Sequence, residues 1–395
     1  MNHFRNRKSL THALEGGVLV VCAYDATQQS ADMEASFLQE SNFWWLTGIE
    51  EAGWKAVIDM SRQHTTLIRP QRSQANITFN GSISDEDILR VSEANDIINF
   101  DDFEPLLRRL ARNHSVVRTV YNKRAEYEFV HNPAQLNLFN ILDRIFTNTH
   151  DASKDIANIR AIKADDEQTA INKAVSLTTA AFKHVREKLP LLKYEYEIEA
   201  EFSYYFRKHG ARHAYAPIVA SGSNACTLHY GRNSQKVPAR GMILIDIGAR
   251  VDGYAADITR TFALNPTKRQ AEVHAAVERA HKAIIKLLKP GLPFQQYDQS
   301  VNEIMKKEML ELGLLKDTND DEAYRRYFPH AIGHGLGVDV HDSLGGSRLL
   351  QAGMVLTVEP GIYISEEGIG VRIEDDILIT PTGHKNLSAS LSTAL

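Results

Sequence analysis

Four carboxylates stand in segments where a carboxylate is costly. The apolar run Met242-Ile243-Leu244-Ile245 leads straight into Asp246, and Asp257 is held between Tyr254-Ala255-Ala256 and Ile258. Later, Glu359 ends the run Met354–Val358 and Glu374 lies within Val371–Ile379. A carboxylate inside a strand has to be paired, hydrogen-bonded or bound to a cation. One such Asp reads as a satisfied turn or cap residue. Four inward-pointing acids repel one another, and cations are the simplest remedy. His330-Ala331-Ile332-Gly333-His334 has the two-histidine spacing of a zinc-peptidase helix, but Ala331 replaces its catalytic Glu and the glycines at 333, 335 and 337 argue against a helix. A lone histidine here would be a hydrogen-bonded core residue; beside four acids, His334 or His330 becomes a candidate fifth ligand. Four carboxylates and one neutral imidazole carry four negative charges, which two divalent ions neutralise and one does not. Oxygen-rich ligation without thiolate suits Mn²⁺, with Zn²⁺ and Co²⁺ as alternatives. Two such ions sharing a water bring its pKa towards neutral and polarise a carbonyl, which is hydrolase chemistry.

The elements that must position these residues change character along the chain. The front mixes short apolar runs (Val18–Ala23, Ala56–Met60, Thr65–Ile68, Ser115–Tyr121) with short helical patterns over Asp87–Ala94 and Glu104–Arg112. This alternation predicts an α/β domain with a partly parallel sheet over residues 1–154. From Asp165, with cap and first-turn acids, a helix carries Ile171, Val175, Phe182 and Val185 on one stripe until Pro190. Two more helices follow, over Val273–Leu288 and Phe294–Leu312. Between them, Met242–Ile247 and Ala255–Ala263 flank a turn at Asp252-Gly253, and Val355–Glu359 pairs with Gly370–Ile379. Antiparallel strands with helices outside predict an α+β domain over residues 155–395.

Composition excludes several partners. The 395 residues carry a formal net charge of −5, with no basic footprint for nucleic acid or an anionic membrane surface. Cys22 and Cys226 permit at most one disulfide, consistent with a cytoplasmic protein. The longest apolar run, Val18–Tyr24, is far short of a membrane span, and with no cleavage pattern around Glu15-Gly16-Gly17 it reads as a buried strand.

Taken with their neighbours, the candidate residues resemble a known family. Asp246 and Asp257, His334 in His-Gly-Leu-Gly-Val-Asp-Val-His-Asp, Glu359 in Thr-Val-Glu-Pro-Gly-Ile-Tyr and Glu374 in Val-Arg-Ile-Glu-Asp-Asp resemble the metal set of the pita-bread metallopeptidases, family M24. The similarity runs over roughly residues 155–390 and is greatest to the aminopeptidase P and prolidase branch. Gln39-Glu40-Ser41-Asn42-Phe43-Trp44-Trp45-Leu46-Thr47-Gly48 is similar to the N-terminal domain of aminopeptidase P.

The resemblance implies a pita-bread catalytic domain in which Asp246 holds one metal, His334 and Glu359 the other, and Asp257 and Glu374 span both. It implies that His229 faces the substrate amide, His341 stabilises the tetrahedral intermediate, His330 lines a proline pocket, and Arg372 assists two residues before Glu374. Glu359 is the implied proton shuttle. The implied reaction is hydrolysis of the N-terminal Xaa-Pro bond of peptides through a metal-bridging hydroxide, by a dimer or tetramer. Two alternatives stand beside it: a prolidase confined to Xaa-Pro dipeptides, and a metal-free binding module on the same fold. Prolidases tend to carry an extra arginine before the Thr-Val-Glu-Pro motif, where this chain has only Arg348 between His341 and Glu359.

Overall fold

The computed structural model describes residues 1–121 and 130–395, in two compact units, Met1–Ile159 and Arg160–Leu395. The division falls in the helix Ser153–Ala161.

The first unit is built on a mixed six-stranded sheet with Val18–Cys22 and Lys55–Asp59 at its centre. Val18–Cys22 is buried along its whole length, as an unbroken apolar run requires when both sheet faces are covered. It pairs antiparallel with Lys55–Asp59 and parallel with Val116–Thr119, so the sheet is partly parallel as predicted. The helices Phe103–Ala111 and Pro133–Ile145 cover one face with Leu107, Leu138 and Leu142. Trp44 and Trp45, on the helix Ser41–Thr47, are buried in the core.

The second unit is α+β. The strands Ile218–Ser221, Gly241–Ile247 and Ile258–Leu264 form an antiparallel sheet, with Ile218 and Thr259 flanking Asp246 in register. A second sheet pairs Val355–Val358 with Asp375–Thr380, and a hairpin pairs Gly361–Ile364 with Ile369–Arg372. The helices Lys268–Ile285 and Phe294–Glu311 bury Val277, Ile284, Val301 and Met305 against Leu356, Val371 and Ile377. Asp252 and Gly253 both take positive φ, 49° and 82°, as a two-residue turn between twisted strands demands.

Three local expectations are corrected. Asp165 is the first helical residue, not the cap; Ala164 occupies the cap, and the Glu167 carboxylate accepts its N–H at 2.9 Å. Asp257 and Glu374 do not sit inside strands. Each occupies a break, Asp257 between Tyr254–Ala255 and Ile258–Leu264, and Glu374 between Ile369–Arg372 and Asp375–Thr380. The two breaks are stitched together: the Glu374 N–H donates to Thr259 O at 3.0 Å, and the Asp257 N–H to Asp376 Oδ2 at 3.1 Å. Interrupted pairing turns both carboxylates inward to the same point.

Candidate metal centre

The histidine segment 330–334 is not helical but lies along the strand Val355–Val358. The Thr357 N–H donates to His334 O and the Glu359 N–H to Ile332 O, each at 2.9 Å. A Cβ at Gly333 would sit 2.1 Å from Thr357 O, so only glycine allows this approach, which brings His334 and Glu359 to one level. His334 Nδ1 meets Gly335 O at 2.9 Å. That contact leaves Nε2 facing Asp257 Oδ2 and Glu359 Oε1, at 3.5 and 3.6 Å.

All the residues singled out in the sequence, Asp246, Asp257, Glu359, Glu374, His229, His330, His334, His341 and Arg372, line one pocket of about 230 Å³. Ligand atoms of Asp246, Asp257 and Glu374 come within 4.8 Å of one another, as do those of His334, Glu359 and Glu374, and of Asp257, His334 and His341. These overlapping groups could hold two cations, with Asp257, Glu374 and His334 each reaching into two groups. His341 stacks obliquely on His334, ring centroids 4.2 Å apart. His330 lies edge-on to Phe328 at 4.8 Å, and its Nε2 meets the Tyr363 hydroxyl at 2.9 Å. His229 is exposed on the loop that follows Ile218–Ser221.

Sequence reasoning missed the hydroxyls that hold the acids. The Tyr215 hydroxyl lies 2.6 Å from both Asp246 Oδ1 and Asp257 Oδ1. Thr259 Oγ1 donates to Glu374 Oε2 at 2.6 Å, and Arg372 Nε donates to Thr259 Oγ1 at 3.2 Å. Arg372 further binds Asp246 Oδ2 through Nη2 and the Tyr363 hydroxyl, at 2.9 Å, through Nη1. Tyr215 lies 31 residues before Asp246, and no local pattern marks it; the antiparallel pairing of Ile218 with Asp246 brings it there.

The electrostatics test whether cations suit this donor set. Burial pushes the Asp246 carboxyl up, helped by Asp257, against the pull of Arg372. Burial, then Asp257, Glu359 and Asp246, lift Glu374 well above the carboxylate range. Asp376, buried beneath Asp257, is lifted in the same way. Glu359 is raised to about 7, first by burial. Burial alone would lower His334, but Asp257 and Glu359 outweigh it and raise the imidazole to about 9. The protein therefore has to retain protons to tolerate its own carboxylates, and the single Tyr215 proton cannot serve both aspartates at once. Divalent ions would replace those protons, and four carboxylates with one imidazole and no thiolate form a donor set that fits them.

Tyr215→Phe removes a donor that orients two acids without touching the packing of the ring. The expected result is a metal affinity about tenfold weaker, measured by titrating metal-free protein against a chelating dye. An unchanged affinity would show that the hydroxyl orients neither aspartate.

Comparison with known proteins agrees with this geometry. Residues 169–381 match the model of metallopeptidase family M24, and residues 3–121 match the aminopeptidase P N-terminal domain. The chain is 34% identical to the Xaa-Pro aminopeptidase of Haemophilus influenzae, over 92% of this chain and 88% of that protein. It is 32% identical to the Xaa-Pro aminopeptidase of Escherichia coli K12, over 98% of this chain and 94% of that one. The structure of aminopeptidase P from E. coli in its low-pH form superposes with a TM-score of 0.88 at 31% identity, covering 99% of this chain and 95% of that one. An acidic pocket at crossing strand breaks, within a chain matched along nearly its whole length, makes this protein a member of metallopeptidase family M24, with an aminopeptidase P N-terminal domain and a pita-bread catalytic domain.

Proposed function

We propose that the protein is a Xaa-Pro aminopeptidase that works with two divalent ions, Mn²⁺ as the resident metal, and releases the first residue of peptides with proline second. The observation that carries this is the convergence of all the family-matched side chains on one pocket. Asp246 would hold one ion, His334 and Glu359 the other, and Asp257 and Glu374 both. When bound, the ions supply a nucleophilic water at neutral pH and polarise the scissile carbonyl.

The remaining chemistry belongs to the side chains. A Xaa-Pro bond is a tertiary amide with no N–H, so its nitrogen must be protonated as it departs. Glu359, in the pocket beside His334, takes the proton lost by the attacking water on its carboxylate and returns it to the proline nitrogen. His341, lowered by burial and by His334, stays neutral and donates an N–H to the developing oxyanion. His330, lowered to about 4 first by burial and then by Arg372, offers an uncharged ring to proline. His229, at the rim, meets the substrate amide. Arg372 holds Asp246 in place and keeps positive charge beside the reacting carbonyl.

A rate comparison tests the reading. With Mn²⁺ supplied, cleavage of Xaa-Pro-Yaa and longer peptides is expected to exceed that of Xaa-Pro dipeptides. Cleavage of the dipeptide alone would make the protein a prolidase. We further propose a cytoplasmic dimer or tetramer. Cys22 and Cys226 are both unpaired, which suits a reducing compartment, and Met33 and Phe79, 64% and 85% exposed, give subunits apolar surface to bury.

A further inference from the structure

Glu195 is fully buried, and no cation pairs with it among the described residues. Such a carboxylate is tolerated only if its oxygens are saturated with hydrogen bonds, and here they are. Oε1 accepts from the Ser221 N–H at 2.7 Å and from Asn224 Nδ2 at 3.1 Å. Oε2 accepts from the Tyr230 hydroxyl at 2.9 Å and from the Gln235 N–H at 2.8 Å.

These four donors belong to one loop. Ser221 is the last residue of the strand Ile218–Ser221, and Gln235 is where the chain comes back, its carbonyl accepting the Glu195 N–H at 3.0 Å. One carboxylate thus closes the neck of a compact Ω-like loop, one oxygen on the outgoing limb and one on the returning limb. A second anchor lies beside it. Asn233, in the left-handed region at φ 44°, accepts from the Val219 N–H at 2.9 Å and donates to Glu199 Oε2 at 2.8 Å. A third is steric: a Cβ on Gly370 would come within 2.4 Å of Ala225 O, so the loop rests directly on the strand that ends in Arg372.

This loop carries His229 into the pocket, and His229 makes no hydrogen bond of its own among the described residues. Its place is set by the loop and by Tyr230, the next residue, whose ring is buried with Ile218, Leu244 and Tyr363 and whose hydroxyl ends on Glu195. We infer that Glu195 is the positioning residue for His229, a buried anionic staple that holds the substrate-facing histidine at the rim of the metal site. The inference rests on the proposed function, in which His229 meets the substrate amide. Only a carboxylate suits the position: glutamine has one acceptor oxygen, and its amide N–H would point at a donor on one limb.

The test is a double-mutant cycle on the Mn²⁺-loaded protein with a Xaa-Pro-Yaa peptide. Glu195→Gln is expected to lower kcat/KM by about tenfold to a hundredfold, through displacement of a group that must be aligned in the transition state. Bound metal is expected to stay at the wild-type level. In a His229→Ala background the same substitution is expected to cost less than about twofold, because a misplaced histidine and an absent one are equivalent. Tyr230→Phe, which deletes one of the four bonds and keeps the ring, is expected to give a smaller loss that also vanishes in His229→Ala; it carries the cycle if Glu195→Gln does not fold. Wild-type kcat/KM in Glu195→Gln, an undiminished penalty in the His229→Ala background, or loss of metal would each overturn the positioning role. No cleavage by the wild-type loaded protein would overturn the proposed function instead.

Discussion

Glu374→Gln is expected to abolish turnover, by on the order of 10³-fold or more, and yet to leave the metal-free protein as stable as wild type or more so. The carboxyl is nearly inaccessible and is lifted well above its ordinary range by burial and by three neighbouring acids. In the metal-free chain it therefore contributes repulsion or holds a proton. The amide keeps its volume and removes the charge, relieving that strain. Metal binding has the opposite requirement, because Glu374 reaches into two of the three ligand groups and an amide is a poor ligand where a shared carboxylate would be needed. Activity and bound metal measured beside Tm would show the split. A Glu374→Gln protein that binds two ions and turns over near the wild-type rate would exclude a shared-ligand site.

Stripping the metal with a chelator is expected to eliminate hydrolysis and to lower Tm by on the order of 10 °C at pH 8, with a difference that shrinks at lower pH. The sign follows from two groups whose pKa values are raised in the folded, metal-free protein. Glu359 moves from 4.5 to about 7, and His334 from 6.5 to about 9. A raised folded-state pKa contributes stability below the unfolded value and loses it as pH climbs through the folded one. The metal-free protein should therefore lose stability from about pH 4.5 to 7 through Glu359 and from about 6.5 to 9 through His334. The ions demand the deprotonated forms, so binding releases protons and strengthens over the same range. Thermal melts of both forms across pH, with calorimetric titration in buffers of different ionisation enthalpy, would measure the effect. A metal-free Tm that rises from pH 5 to 9 would contradict it.

The sequence was most legible where burial is expensive. Asp246, Asp257, Glu359 and Glu374 announced themselves because an acid amid valines and isoleucines has few explanations, and the structure places all four in one pocket with His334. The central strand Val18–Cys22 was equally legible, since an unbroken apolar run has to be covered on both faces. Legibility failed at the strand breaks. Asp257 and Glu374 looked like residues inside strands, because hydropathy does not distinguish a paired backbone from one that leaves its partner for two residues.

What the sequence determined by itself was which acids stand among apolar residues and the class of the two domains, since both follow from local composition: acid among apolar residues, and hydrophobic periods of two or near four. The tertiary structure alone decided which acids share a space and what holds them there. Asp257 meets Asp376 across 119 positions, Thr259 meets Glu374 across 115, and Tyr215 reaches two aspartates from a loop. Glu195 stands in the first turn of the helix Glu195–Lys208, yet it ties down the histidine loop. The physical reason is common to all of them. A hydroxyl or a saturated carboxylate is cheap to place anywhere on the surface of an unfolded pattern, and it acquires its meaning only when strand register delivers its partner within about 3 Å.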